Sequence, residues 1–238
     1  MILKRKAITA FALIICICVL CVFSTQSEKS VNTSLFLKSR PQIILDAGHG
    51  GFDGGAVASD GTVEKDINLE ICLALEKMLI QNGFEVIMTR KTDVSTDDVE
   101  SDKIATRKKS DLKNRLELME DYPEAVFVSI HLNKFTTSAA SGSQVFYSGR
   151  DVESKSLSDL IQASIVRLLQ PENTRVNKKA TSSTYILYNA TIPAVLVECG
   201  FLSNSRELAK LKDSKYQKEM AFSIFCGITE YFKKSEEL

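Results

Sequence analysis

The 238-residue chain has no tryptophan, only two histidines and only four prolines. Its 30 basic and 30 acidic side chains cancel, so the formal net charge is zero. That balance excludes a nucleic-acid partner held by bulk electrostatics. Beyond the N-terminal apolar stretch no CxxC pair is present, and the chain has no HExxH helix. Thioredoxin-like redox chemistry and the usual helix-borne metalloprotease site are therefore excluded. No internal repeat occurs. Three of the six cysteines, Cys16, Cys18 and Cys21, lie in one apolar stretch. Cys72, Cys199 and Cys226 remain, in apolar surroundings, and read as buried free thiols rather than a disulfide framework.

Long apolar runs are also scarce. The one candidate is Ala7 to Phe23, which follows Lys4, Arg5 and Lys6. A basic flank before an uncharged run holds the N-terminus in the cytoplasm and sends the rest outward. Residues 1–23 are thus expected to be a signal anchor, with a cleaved signal peptide as the alternative. Residues 24–40 are polar and uneven and read as a stalk. Residues 41–234 have the length of one domain with a full core. The domain is expected on the outer side of the cytoplasmic membrane.

Within it, apolar patterning alternates between two periods. Residues 42–47, 85–89, 126–130, 144–147 and 194–197 read as strands, and 185–187 as a further short one. Ile67, Ile71, Leu75, Met78 and Leu79 recur at helical spacing across 64–82. Helices are also expected over 111–120, 153–169, 205–211 and 215–232. Residues 90–106 and 171–184 read as polar loops. Strands alternating with helices predict an α/β fold: a single domain with a twisted, mostly parallel sheet of about six strands and helices on both faces. In such a sheet, ligands gather at the carboxyl ends of the strands.

There the segment "LDAGHGGFDGGA", Leu45 to Ala56, raises the question of a phosphate loop. It fails both patterns. Starting from Gly48, the sixth position of G-x-G-x-x-G is Asp53. Ala56 stands where a P-loop needs lysine. Asp46 and Asp53 would also repel phosphate. The two histidines fare better. His49 follows the first strand and His131 caps the strand "AVFVSI", so both sit on one sheet edge. Glu64 opens the first helix on the same side, where helix-dipole stabilisation is its plainer role. Glu198 ends the apolar strand "PAVLVE", and a carboxylate there is costly to bury unless paired or used.

Two imidazoles and two carboxylates fit a zinc hydrolase. Catalytic zinc takes three protein ligands, His₂Glu among them, and leaves one position open. A remaining carboxylate then moves the proton of the attacking water. The count leaves open which glutamate binds and which acts as base.

In "ILDAGHGGFDGGA", "EKDINLEICLALEKML", "VIMTR", "FVSIHLN" and "AVLVECGFLSN" the sequence resembles the zinc-dependent N-acetylmuramoyl-L-alanine amidases of the amidase 3 type. The segments run in family order over residues 42–233. The resemblance implies that His49, Glu64 and His131 hold one Zn²⁺ and that Glu198 is the catalytic base. It implies cleavage of the amide between N-acetylmuramic acid and L-alanine, with the peptidoglycan glycan strand and stem peptide as partners. The spore-cortex amidases, which act on the route to muramic-δ-lactam needed for germination, are the subgroup it resembles most. A site between the forespore membranes would follow, with the membrane as partner through the N-terminal segment and an activator protein as regulator. Alternatives are a vegetative cell-wall amidase, another exported zinc peptidase, or a module that grips stem peptides without cutting.

Three departures from the family pattern stand out. Ala47 replaces a frequent proline and loosens the loop. Met119-Glu120 replaces a usual Ala-Asn. The stretch from His131 to Gln144 is too short for the zinc-plugging helix of some relatives, so an open groove is expected. Asn133 and Asn204 are candidates for binding substrate amides, with turn capping as their other role. The basic run Lys103, Arg107, Lys108, Lys109, Lys113 and Arg115 would meet wall carboxylates or form a solvated helix face.

Overall fold

The computed structural model describes residues 40–236. The expected signal segment and all but the last residue of the stalk lie outside them. The strands are β1 (Gln42–Ala47), β2 (Glu85–Met88), β3 (Val126–Asn133), β4 (Gln144–Tyr147), β5 (Lys178–Lys179) and β6 (Ala194–Phe201). The helices are α1 (Glu64–Gln81), α2 (Ile104–Asp121), α3 (Glu153–Leu168), α4 (Tyr185–Asn189), α5 (Ser205–Leu211) and α6 (Ser214–Glu236). The six strands form one sheet in the order β2-β1-β3-β6-β4-β5. Parallel pairing links β2, β1, β3 and β6, and β4 runs antiparallel to β6. The expected mostly parallel α/β architecture is what forms.

Strand alternation sorts the core into two layers. Ile43, Leu45 and Ala47 of β1 face a cluster built with Ile71 and Leu75 of α1, Ile161 of α3 and Ile224 of α6. Ile44 and Phe127 face the other way, against Met119 of α2 and Leu187 of α4. Each such fully buried side chain contributes roughly 1.5–3 kcal/mol of transfer free energy. Helices thus cover both faces, which is why β1 and β3 read as continuous apolar runs.

The strand order also fixes where a ligand belongs. From β1 the chain passes through α1 to β2 on one side, then crosses back through α2 to β3 on the other. The order reverses between β1 and β3, and a crevice opens at such a switch point. His49 lies just past the end of β1, and His131 near the end of β3.

Four expectations need correction. Residues 185–187 begin α4 rather than a strand, because a short apolar run does not distinguish the two. Helix α2 starts at Ile104, not 111: its first turns carry helix-favouring Ala, Arg and Lys without an apolar stripe. Strands β3 and β6 continue to Asn133 and Phe201, so His131 and Glu198 lie within strands rather than at their last residue. The polar stretch 171–184 includes the edge strand β5, whose two lysines suit an exposed sheet edge. Cys72 and Cys199 are buried free thiols as expected, whereas Cys226 is only half-buried.

Candidate metal centre

Three of the predicted residues converge. One ligand atom from each of His49, Glu64 and His131 lies within 4.8 Å of the others. Glu64 Oε1 stands 3.3 Å from His49 Nε2 and 3.1 Å from His131 Nδ1. Donors held about 2.05 Å from one tetrahedral ion are about 3.3 Å apart, so these spacings and this donor set fit zinc. The two imidazoles meet edge to face, with ring centroids 4.9 Å apart. Their side chains are 23% and 19% exposed, which leaves the trio open to a substrate.

Each member of the trio is placed by local structure. His49 has φ +63°, a conformation rare outside glycine, and it swings the ring over the end of the sheet. Asp53 Oδ2 sits 3.0 Å from His49 Nδ1 and leaves Nε2 facing Glu64. A carboxylate on the outer nitrogen is the usual way to fix the tautomer and orientation of a metal-binding imidazole. Lys108 Nζ, 2.8 Å from Asp53 Oδ1, holds that carboxylate in turn. Glu64, the first residue of α1, is 3% exposed. Its Oε2 accepts from Ala56 N–H at 2.8 Å and its Oε1 from Leu132 N–H at 2.9 Å. Glycines 48 and 55 clear the space. A Cβ on Gly55 would lie 2.6 Å from both Glu64 Oε2 and the His49 ring, and one on Gly48 would strike the His131 ring.

Burial pulls the His49 pKa down, but hydrogen bonds and charge from Asp53 and Glu64 outweigh it and raise it to about 9. Burial likewise works against ionised Glu64, yet the two imidazoles hold its carboxyl below the usual carboxylate range. Without a cation, this trio attracts positive charge.

Glu198 is arranged differently. It pairs in register with His131 on β3 and Gln144 on β4. Its Oε2 is buried with no hydrogen-bond partner among the described residues. Burial, reinforced by Glu64, raises its pKa to about 7 although both histidines pull the other way. A carboxyl poised near neutrality beside a trio that could hold a metal suits a general base.

The remaining candidates separate. Asn133 ends β3, two residues past His131, and does not line the cleft beside the trio. Asn204 caps α5: its side-chain oxygen accepts from Arg206 and Glu207 N–H, and its amide donates to Ala140 O. The basic run also divides. Lys113 is exposed and paired with Glu117, whereas Arg115 is 2% exposed and belongs to the interior. A cleft of about 240 Å³ beside the trio is lined by Asp53, Lys108, Leu112 and Ile186 among others. Between β3 and β4 no helix forms, and residues 134–139 are exposed. Sequence reasoning missed Asp53 as a partner of His49. Its only signal was a carboxylate four residues past the histidine.

A family model described as N-acetylmuramoyl-L-alanine amidase matches residues 43–230. The chain is 39% identical over 190 residues to the germination-specific N-acetylmuramoyl-L-alanine amidase of Bacillus subtilis (strain 168), spanning 80% of this chain and 79% of that one. The solved structure of the CwlD amidase from Clostridioides difficile in complex with the GerS lipoprotein is 42% identical with a TM-score of 0.78, covering 82% of this chain and 99% of that chain. The N-acetylmuramoyl-L-alanine amidase from Clostridium difficile 630 is 30% identical, with a TM-score of 0.70 over 82% of this chain and 97% of that chain.

Proposed function

The chain belongs to the N-acetylmuramoyl-L-alanine amidase family, and from that membership we propose that His49, Glu64 and His131 hold one zinc ion while Glu198 serves as general base. The observation that carries this reading is the juxtaposition itself: a convergent His₂Glu donor set beside a half-buried glutamate whose Oε2 is buried without a hydrogen-bond partner among the described residues. When bound, zinc supplies a Lewis acid that acidifies water and polarises the amide carbonyl. Glu198 Oε2 takes a proton from the attacking water as its oxygen bonds to the lactyl carbonyl carbon. The carbon–nitrogen bond then breaks, and Glu198 returns the proton to the leaving nitrogen of L-alanine. Asp53 holds the His49 ring so that Nε2 is turned toward Glu64, where it would be available to a metal. Asn133, two residues past His131 on β3, is the candidate contact for substrate amides, and Asn204 is a second candidate besides its role as the α5 cap.

The substrate is peptidoglycan, and we assign the spore cortex as the wall that it trims, on the route to muramic-δ-lactam. Two similarities support the assignment: the germination-specific relative and the CwlD amidase. Because that amidase was solved with a lipoprotein partner, an activator of similar kind is the partner we infer here. The apolar segment 7–23 would hold the enzyme at the outer face of the cytoplasmic membrane. Mass spectrometry of purified cortex and vegetative walls digested with the zinc-loaded protein tests this reading. New L-alanine amino termini and unsubstituted muramic acid from the cortex are expected. A broken peptide bond instead would indicate a peptidase. Binding without any cleavage, with and without a partner, would indicate a binding module.

A further inference from the structure

Arg90 follows β2 in the segment "VIMTR" and touches no ligand atom of the trio. It is 3% exposed, and no carboxylate lies within ion-pairing distance of it among the described residues. Burying a cation without a direct ion pair is expensive even with Asp46 and Asp93 nearby, so its position calls for a reason. Its hydrogen bonds supply one, because all of them go to backbone carbonyls. Nε donates to Ala47 O at 2.9 Å and Nη1 to Thr92 O at 3.1 Å. Nη2 donates twice, to Gly48 O at 3.1 Å and to Lys65 O at 2.8 Å. Gly48 immediately precedes His49, and Lys65 immediately follows Glu64. One nitrogen therefore ties together the two segments, 15 residues apart in sequence, that carry two of the trio.

The glycine loop is shaped around this group. Gly50 has φ +133°, and a Cβ there would strike the Val94 carbonyl oxygen first and lie 2.8 Å from both Cδ and Nε of Arg90. The charge itself cannot be the purpose, since a cation beside a cation site opposes metal binding. What guanidinium offers is a rigid plane of donors, which lysine lacks.

We propose that Arg90 is a positioning residue: its Nη2 fixes the spacing between the His49 and Glu64 segments and thereby sets metal affinity and geometry. The proposal rests on the reading of His49 and Glu64 as metal ligands. Its test compares wild type with Arg90→Lys and Arg90→Gln in the full chain. Zinc affinity is measured by competition with a chromophoric chelator, and coordination by the visible spectrum of the cobalt-loaded protein. Metal-free folding is followed by circular dichroism. Both variants should fold yet bind zinc about 10–100-fold more weakly, the range for lost outer partners of metal ligands, and their cobalt spectra should shift. Arg90→Lys should not rescue, although it keeps the charge. Wild-type affinity and spectrum in a folded variant would overturn the proposal and leave Arg90 a purely structural residue. A wild type that binds no metal would instead sink the ligand reading. The wild type also gives a measurement that no misfolded variant can spoil. By ¹⁵N NMR, the Arg90 Nε–H should exchange slowly before metal is added and shift when zinc binds. Free exchange in the metal-free protein, or no shift, would overturn the proposal even if neither variant folds.

Discussion

Two polar clusters lie side by side near the carboxyl ends of the strands, members of both lining one cleft, and they are satisfied to different degrees. The outer one is His49, Glu64, His131 and Glu198. The inner one is Asp46, Asp111 and Arg115, with Arg90 beside it. In the inner cluster, Arg115 pairs with Asp46 and Asp111 and donates to the carbonyls of Ala47 and His49. Asp46 is fully buried, yet Ser129 and Thr89 also donate to it. In the outer cluster, Glu198 Oε2 has no partner among the described residues, and both imidazoles are partly open to water. Complete satisfaction stiffens a site. Incomplete satisfaction, beside a stiff support, marks where chemistry is to happen.

This contrast breaks most visibly by removing one member of each cluster. His131→Ala should lose its zinc and drop amide hydrolysis to background, with the metal-free fold intact by circular dichroism. Arg115→Met should act chiefly on stability, with any loss of zinc affinity through its bond to the His49 carbonyl much smaller than that of His131→Ala. Two carboxylates would be left buried without their cation, at a cost of about 3–5 kcal/mol in urea unfolding of the metal-free protein. If the metal-free stability of His131→Ala fell as far as that of Arg115→Met, the division of labour would be wrong. Asp53→Asn sharpens the boundary between the clusters. Zinc affinity should fall about 10–100-fold with little change in unfolding.

The clusters should also respond to opposite features of a pH series. Turnover should rise with pH as Glu198 loses its proton, with an acid limb at or below about 7 because a bound dication lowers the value. Asp46 has its pKa lowered in the fold: burial opposes the shift, but Arg115 and the hydroxyl donors override it. Its stabilisation is therefore full above the unfolded aspartate value, about 3.9, and is lost as pH falls through the folded one. Unfolding midpoints across acid pH, with and without Asp46→Asn, check the sign. The smallest effect expected is from Asn204→Ala, which should cost about 1 kcal/mol through the lost α5 cap. An unchanged KM would leave Asn204 as a cap alone, and a raised KM would make it a substrate contact as well.

The two clusters also differ in how readable they were. His49 and His131 stood out because histidine is rare in this chain and both fall at strand ends. Glu198 stood out because a charge follows an apolar run. The order of elements, the parallel sheet and the crevice followed from the alternation of periods. The inner cluster gave no such signal. Arg115 belongs to a run of basic residues that looks solvated, and its partner Asp46 is 69 residues away. Only the crossing of α2 over β1 brings them together. Asp53 looked like a reason to reject phosphate, and its service to His49 depends on a left-handed turn that sequence patterns do not encode. The helix at 185–189 was lost for a different reason: five residues are too few to show a period.

The most direct test of the account pairs metal content with turnover in one variant. Wild type and Glu198→Gln, both zinc-loaded, would be incubated with purified cortex, and zinc stoichiometry and released L-alanine amino termini measured on the same samples. The account predicts one zinc per chain in both, and turnover about 10²–10⁴-fold lower in the variant. A Glu198→Gln protein that holds its zinc and cleaves at the wild-type rate would contradict it and move the base elsewhere.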